Sequence, residues 1–351
     1  MSGGIAQLVA VGAQDAHIVG NPEVSFFRST YKRHTNFAQT VEKQVIQGNP
    51  ATGGMSTVRF ERKGDMLGHV YISNRTPNDS TTRAGWEGQI KKVELLIGGQ
   101  IIDTQTSVFS QEIAPAMLSQ TYSKSLAAAS ADKSGFYPLR FSFCENAQSA
   151  LPLVALQYHD VEIRISWNTV VAAKDYEVHA QFIYLDTDER TAVSSAPHNM
   201  LITQTQEAVA SGDLIQELNL NHPVKFIAAV GVTPATGLPT GADYGIAGGK
   251  VILQINGTDV GDAKMASPHY TSASMYYHTP FSTMNSSIAT HFLYPFCLDT
   301  SKLQPTGTLN FSRVDSARLV SDAGTFNGSL YAVNYNILRI ENGMGGLMYS
   351  N

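Results

Sequence analysis

The segment Val161–Trp167, VEIRISW, restricts the fold of this chain more than any other segment, because apolar and polar residues alternate in it without interruption. Successive side chains of a β-strand point to opposite faces of the sheet, so a period of two predicts a strand with one buried face. The same alternation recurs in short segments, from Ser56–Arg62 to Leu330–Ile340. We therefore predict an all-β protein.

A hairpin is predicted at Gln89–Thr104, where an alternating strand ends at Gly98-Gly99 and a second strand follows. Two glycines supply the positive φ angles that a two-residue hairpin loop requires. Asn256-Gly257 predicts another tight turn for the same reason. Further strands are predicted at Gly68–Ser73, Leu139–Cys144, Tyr176–Leu185, Leu214–Leu220, Lys225–Val230, Lys250–Ile255, Ile288–Cys297, Gly307–Phe311 and Ala317–Val320.

Two segments depart from the strand pattern. Ser107–Ala131 has apolar residues at helical spacing and is predicted to be partly helical, with Pro115 in its first turn. Asp186–Asn199 is charged and then rich in small residues, which predicts a domain boundary. We interpret its carboxylates as part of a solvated linker turn with Arg190 as ion partner, since no metal-site spacing follows them. The pattern thus predicts two all-β domains, with tandem β-sandwiches favoured over barrels.

Composition narrows the function. Only 15% of the 351 residues are charged, against about 25% in ordinary soluble domains. The deficit indicates surfaces that pack against other copies or, equally well, strand faces made of uncharged polar residues. A net charge of −5 argues against direct nucleic-acid binding, which needs an excess of Lys and Arg. Cys144 and Cys297 indicate two buried thiols in a reducing compartment, and neither a signal peptide nor a transmembrane segment is predicted.

Motifs of enzymes and of metal or cofactor sites do not stand out in the sequence. The ten histidines form no HxxxH pair, and no G-x-S-x-G nucleophile motif occurs. We therefore predict a protein that is not an enzyme and has no catalytic residue, metal ligand or cofactor. Sequons mark candidate glycosylation sites at Asn78, Asn256, Asn285 and Asn327.

The N-terminal segment Gly12–Phe37 combines aromatic and basic residues in a way that predicts an arm laid against a partner. Glycines and a proline interrupt it, so a long regular element is not favoured. Its aromatic rings would serve as anchors, and its cations would pair with carboxylates of a neighbour. The candidate assembly residues are Phe26, Phe27, Arg28, Tyr31, Lys32 and Arg33.

Seven specific stretches extend in order along nearly the whole chain. They are GAQDAHIVGNPEVSFFRSTYKRHTNFA at Gly12–Ala38, VELLIGGQIID at Val93–Asp103, ALPLVALQYHDVEI at Ala150–Ile163, LDTDER at Leu185–Arg190, NHPVKF at Asn221–Phe226, QPTGTLNFSRVD at Gln304–Asp315 and YAVNYNILRIENGMGGLMYSN at Tyr331–Asn351. Together they resemble the double jelly-roll major capsid proteins of nucleocytoplasmic large DNA viruses, especially those that infect algae.

The resemblance implies two tandem eight-stranded jelly-roll β-sandwiches at residues 36–198 and 199–351, behind an N-terminal arm at residues 1–35. It implies a structural capsid protein whose trimers form pseudo-hexagonal capsomers, which tile an icosahedral virion shell assembled in the host cytoplasm. The partners that it implies are further copies, minor capsid proteins at the inner face and a nearby inner viral membrane. The alternative is a minor capsid, penton or spike paralogue whose jelly-roll loops bind host glycans.

Overall fold

The computed structural model describes residues 3–74, 86, 88–121, 123–124, 136–168, 175–230, 249–280 and 291–350. The chain divides into two compact units, Met1–Asn36 and Phe37–Asn351. The first unit contains helix α1 (Gly3–Val9), a 3-10 turn (Ala13–Asp15) and helix α2 (Ala16–Val19). None of its described residues is buried, so this unit has no core of its own.

The second unit consists mainly of β-strands. Its described part contains β1 (Phe37–Gln44), β2 (Ile46–Gln47), β3 (Met55–Arg59), β4 (Met66–Asn74), β5 (Ile90–Ile97), β6 (Gln100–Thr106), β7 (Phe136–Pro138), β8 (Leu151–Pro152), β9 (Val161–Trp167), β10 (Tyr176–Leu185), β11 (His198–Ala208), β12 (Ile215–Glu217), β13 (Pro223–Val230), β14 (Lys250–Ile255), β15 (Thr258–Met265), β16 (His291–Pro295), β17 (Leu309–Asn310), β18 (Ala317–Ser321), β19 (Leu330–Glu341) and β20 (Met344–Leu347).

Short helices connect these strands. The described part of the second unit contains the α-helices α3 (Ala114–Met117), α4 (Ser142–Glu145), α5 (Thr187–Ser195) and α6 (Ser274–His278). Two π-helical segments precede α3 and α6, at Phe109–Ile113 and Ala266–Ala273. Single 3-10 turns lie at Ala147–Ser149, Leu153–Ala155 and Phe311–Arg313.

The strand order identifies two jelly rolls. Apart from the additional strands β2, β8, β17 and β20, which pair with β3, β4, β13 and β19, each pair of sheets has eight strands. One pair has the orders β1-β10-β4-β7 and β3-β9-β5-β6, and the other pair has the orders β11-β19-β13-β16 and β12-β18-β14-β15. When the eight strands of each pair are numbered along the chain, both pairs have the same arrangement: first, eighth, third and sixth strands in one sheet, and second, seventh, fourth and fifth in the other. This is the order of an eight-stranded jelly roll. We call β1–β10 the first roll and β11–β20 the second roll.

The strongest sequence predictions are confirmed. The segment VEIRISW is strand β9, and its four apolar side chains are buried in the core of the first roll. Gly98 and Gly99 form the predicted turn between β5 and β6 with φ angles of 58° and 82°. Asn256 and Gly257 likewise turn β14 into β15. In the described part of Ser107–Ala131, a π-helical segment and α3 are present, with Pro115 in the first turn of α3.

Two local predictions are wrong. Leu139–Cys144 is not a strand, because β7 ends at Pro138 and the chain turns into α4 at Ser142. Its alternating apolar side chains are nevertheless buried in the core of the first roll, which explains the misleading pattern. The linker Asp186–Asn199 contains helix α5, and the Asp186 side chain caps it by accepting a hydrogen bond from the backbone N–H of Thr187.

Candidate functional site: assembly surfaces

The predicted assembly residues of the arm lie between α2 and β1, in a segment without helix or strand. The Phe27 side chain is 100% exposed, and the rings of Phe26 and Tyr31 are almost as accessible. The neighbouring cationic residues Arg28 and Lys32 are exposed as well, as is Arg33. Local contacts in the segment include a turn in which the Phe27 N–H donates to Ser25 Oγ at 3.4 Å. Three accessible rings and three cations therefore share one short segment.

The two rolls of the chain meet along a closed apolar junction. The segment that follows β6 covers the outer face of the sheet β11-β19-β13-β16, meaning the face that points away from the core of the second roll. Phe109 and Met117 are fully buried there, in one cluster with residues of β13, β16 and β19. The Phe109 and Tyr331 rings lie 5.8 Å apart. The Thr300 hydroxyl donates to the Met117 carbonyl at 2.7 Å, which fixes the end of α3.

A buried carboxylate connects β6 to β11 in the same junction. Asp103 Oδ1 accepts hydrogen bonds from the backbone N–H groups of Thr205 at 2.8 Å and Thr104 at 2.9 Å, and Oδ2 accepts one from Gln105 Nε2 at 2.9 Å. Burial raises the pKa of Asp103 to about 7, although these three hydrogen bonds act in the opposite direction. The Gln204 amide extends the connection by donating to the Ile102 carbonyl.

A buried lysine holds the loop beside the junction. Lys225 on β13 donates to the carbonyl groups of Thr300 at 3.0 Å and Lys302 at 3.3 Å. Its ammonium group also lies 5.1 Å from the centre of the Tyr335 ring. Burial lowers the pKa of Lys225 to about 8, because the charged form loses its hydration. The junction thus combines apolar packing with a few polar groups that have hydrogen-bond partners.

The candidate glycosylation sites are only partly described. Asn256 lies in the β14–β15 turn, and its Oδ1 accepts hydrogen bonds from the backbone N–H groups of Asp315 and Ser316 at 3.0 Å each. Asn327 is exposed in the β18–β19 connection, where its Oδ1 accepts a hydrogen bond from Thr325 Oγ1 at 2.9 Å. Asn78 and Asn285 lie outside the described residues.

Other sequence predictions concern thiols, metals and membranes. Cys144 and Cys297 are both buried and unpaired with each other, as predicted. Burial raises the pKa of Cys144 to about 12, so its thiol is not a nucleophile at neutral pH. Among the described residues, no group of three or more His, Cys, Asp or Glu side chains could hold a metal ion. No helix in the described ranges is long and apolar enough to cross a membrane.

The arm was singled out from sequence, whereas the junction was missed. Asp103 and Thr205 are 102 positions apart, and nothing in a strand such as QIIDTQT indicates which other strand will bury its carboxylate. The sequence feature that comes nearest to indicating the junction is the run PVKFIAAV of β13, which is almost continuously apolar. Its residues are buried on both faces, as expected for a strand covered from two sides.

Two family models match the chain. The model described as "Major capsid protein N-terminus" matches residues 25–200, and the model described as "Large eukaryotic DNA virus major capsid protein" matches residues 248–346. The chain belongs to this major capsid protein family. Members with full-length similarity include the major capsid protein of Pyramimonas orientalis virus, 36% identical, and that of Paramecium bursaria Chlorella virus 1, 30% identical, each with 100% of both chains covered.

Solved structures of capsid proteins have the same fold. The crystal structure of PBCV-1 VP54 fitted into a cryo-EM reconstruction of the virophage Sputnik superposes with a TM-score of 0.76 at 26% identity, covering 93% of this chain and 100% of that one. The Faustovirus major capsid protein shares the fold at a TM-score of 0.66 and 11% identity, with 94% of each chain covered. The predicted family and the double jelly roll are thus confirmed. As a member of this family, the chain is a structural protein of the virion capsid and not an enzyme.

Proposed function

We propose that this capsid protein assembles into trimers, each a pseudo-hexagonal capsomer that tiles an icosahedral shell. The observation that supports this most is the repeated strand order: each chain carries two jelly rolls of one topology, so three chains supply six similar sandwiches. A structure of the PBCV-1 virus capsid superposes on this chain with a TM-score of 0.74 and 26% identity, covering 93% of this chain and 100% of that one. Cyclic symmetry then places identical surfaces in contact around the ring.

We assign residues 36–198 and 199–351 to the two jelly-roll domains and residues 1–35 to the arm. The arm contributes assembly contacts at the inner face of the capsomer, through the anchors Phe26, Phe27 and Tyr31. Its cations Arg28, Lys32 and Arg33 pair with carboxylates of a neighbouring copy or of a minor capsid protein. Assembly takes place in the host cytoplasm, with an inner viral membrane nearby. Asn256 and Asn327 remain glycosylation candidates, because both are exposed in turns between strands.

The trimer is tested by light scattering on the purified chain. We expect a stable particle with three times the 37.9 kDa mass of the chain at micromolar concentration. The trimer should be stable because the flanks of the subunits carry little charge and are buried in contacts with one another. A monomer under these conditions would contradict the proposed capsomer.

The arm is tested by deleting residues 1–35. The deletion should leave the jelly rolls folded, because none of the described arm residues is buried within the arm unit and the β1 pairing begins only at Phe37. The thermal midpoint and the β-sheet signal in circular dichroism should be retained, with only the small helical contribution of α1 and α2 lost, while electron microscopy should show few closed shells. Normal shells formed by the deleted chain would refute the role of the arm.

A further inference from the structure

The two rolls carry equivalent helical segments. Among the described residues, the helix of the first roll is covered, whereas the helix of the second roll is buried at Met275 and exposed beyond it. In the first roll, β6 is followed by a π-helical segment and then by the short α-helix α3. In the second roll, the equivalent strand β15 is likewise followed by a π-helical segment and then by α6. Counting from the first residue of each helix, Ala116 and Met117 of α3 correspond to Tyr276 and Tyr277 of α6. Equivalent positions in a repeated fold provide a template for equivalent contacts.

The covered segment shows what such a contact looks like. Ala116 and Met117 are buried against the outer face of the second roll. That face is apolar, with Ala228 on β13, Leu293 on β16 and Tyr331 on β19 in the same cluster. The junction within one chain is thus a helix of one roll packed on the outer sheet face of the next roll.

The equivalent helix of the second roll exposes large aromatic side chains. Tyr276 is 69% exposed and Tyr277 is 74% exposed, although Met275 beside them is buried. Their rings pack edge to face, with centres 5.0 Å apart. Leu298 is also exposed, and its carbonyl lies 3.3 Å from His278 Nδ1 at the end of α6. This cluster is an apolar projection of the second roll.

The outer face of the first roll carries a matching surface. Tyr71 lies opposite His179 in the β4–β10 pair, just as Ala228 lies opposite Tyr331 in the β13–β19 pair. The adjacent residue pair along the same two strands is Ile72 with Val178 in the first roll and Ala229 with Leu330 in the second roll. These side chains point into the core of their own roll. Tyr71 and His179 are therefore on the face that corresponds to the covered face of the second roll.

Aromatic and imidazole rings form a continuous patch on this face. The Tyr71 ring lies 5.1 Å from the His179 ring, 5.8 Å from the Phe136 ring and 6.4 Å from the His69 ring. His69 and Phe136 are exposed, and the other two side chains are half-buried. We call these four residues the first-roll patch. Edge-to-face and offset packing of further rings on such a patch is favourable.

We propose that Tyr276 and Tyr277 of one copy pack on the first-roll patch of a second copy. Within one chain, α3 packs on the outer sheet face of the second roll, and the proposed contact is the equivalent packing between two chains. The proposal rests on the proposed self-assembly into capsomers. It joins two different surfaces, α6 on one copy and the first-roll sheet on the other. Such a head-to-tail contact generates a ring when its rotation closes.

The contact is tested first by removing the two rings. The double variant Tyr276→Ser, Tyr277→Ser should dissociate at a protein concentration about 30-fold or more above that of the wild type, because exposed aromatic anchors dominate interface energies. Its circular dichroism should match the wild type. Tyr158→Ser is the matched control, since Tyr158 is equally exposed at 74% and lies outside both surfaces. Its trimer should dissociate at the wild-type concentration.

Cysteine pairing tests the geometry directly. Chains with Phe136→Cys and chains with Tyr277→Cys are co-expressed and oxidised; the native Cys144 and Cys297 are buried and do not compete. We expect a disulfide-linked dimer of the two different chains, which neither variant forms alone. If the protein is a trimer but shows no such crosslink, and the double variant dissociates at the wild-type concentration, the proposed contact is wrong. The proposed capsomer would not be affected by that result. A crosslink between two Tyr277→Cys chains would overturn the proposed contact too, and a monomeric wild type would remove the capsomer itself.

Discussion

Replacing Asp103 by alanine is expected to lower the free energy of unfolding by about 2–4 kcal/mol, because three donors in the junction lose their acceptor. The backbone N–H groups of Thr205 and Thr104 would lose this acceptor in a half-buried site, and the Gln105 amide would keep only the Arg140 carbonyl, at 2.9 Å. Asp262→Ala is the control, since Asp262 lies on β15, the equivalent strand of the second roll, and is exposed. Urea unfolding of the three chains at one protein concentration measures the difference. Equal losses for both variants would contradict a special role for Asp103.

Asp103 also makes the stability of the wild type depend on pH. Its pKa is about 7 in the folded chain and 3.8 when unfolded, so between these values the folded state holds a proton that the unfolded state has lost. The contribution of this group is therefore fully present below pH 3.8 and is lost as the pH rises through about 7. Asp103→Asn cannot titrate. From about pH 5 to about pH 8 the wild type should lose stability relative to this variant, and a constant difference would show that Asp103 does not titrate there.

The fold was predictable where burial acts on one face of a strand. In β9 the alternation defined the element to the residue, because its apolar side chains line the core of the first roll. The same signal is absent from β15, in which all eight residues are exposed. No face of β15 selects apolar residues, so this strand was not predicted, although the Asn256-Gly257 turn before it was. Strand β1 has an exposed and largely polar pattern and was missed for the same reason.

From the sequence, a candidate site could be proposed only where residues close together in the chain carry it. The arm places its rings and cations within Phe26–Arg33, so composition alone singled it out. The junction depends on contacts between distant segments: Thr106 Oγ1 lies 3.0 Å from the Tyr331 hydroxyl, 225 positions later. The tyrosine pair of α6 gave no signal either, because only the repeated topology shows that its counterpart in α3 is buried. These contacts are determined by which strands pair and which sheets pack together, and a local sequence pattern does not show either.

Phe226→Ala is expected to lower the free energy of unfolding by about 3–5 kcal/mol, which is the usual cost of removing a fully buried phenyl group. Phe226 lies on the outer face of β13, packed in the junction cluster with Met117 and Leu293. The neighbouring Lys225 holds the adjacent loop, so this part of β13 cannot easily move to fill the cavity. The loss should therefore appear in urea unfolding as a lower midpoint with an unchanged slope.

Hydrogen exchange distinguishes a weakened junction from general loss of structure. The Leu118 amide, which donates to the Ala114 carbonyl at 2.8 Å, should exchange faster in Phe226→Ala because α3 loses its support. The Phe60 amide donates to the Val161 carbonyl at 3.0 Å within the first roll and should lose less protection. Phe27→Ala is the control: its ring is fully exposed, so stability should not change. If the Leu118 amide kept its wild-type protection in Phe226→Ala, the two rolls would not depend on this contact for their attachment.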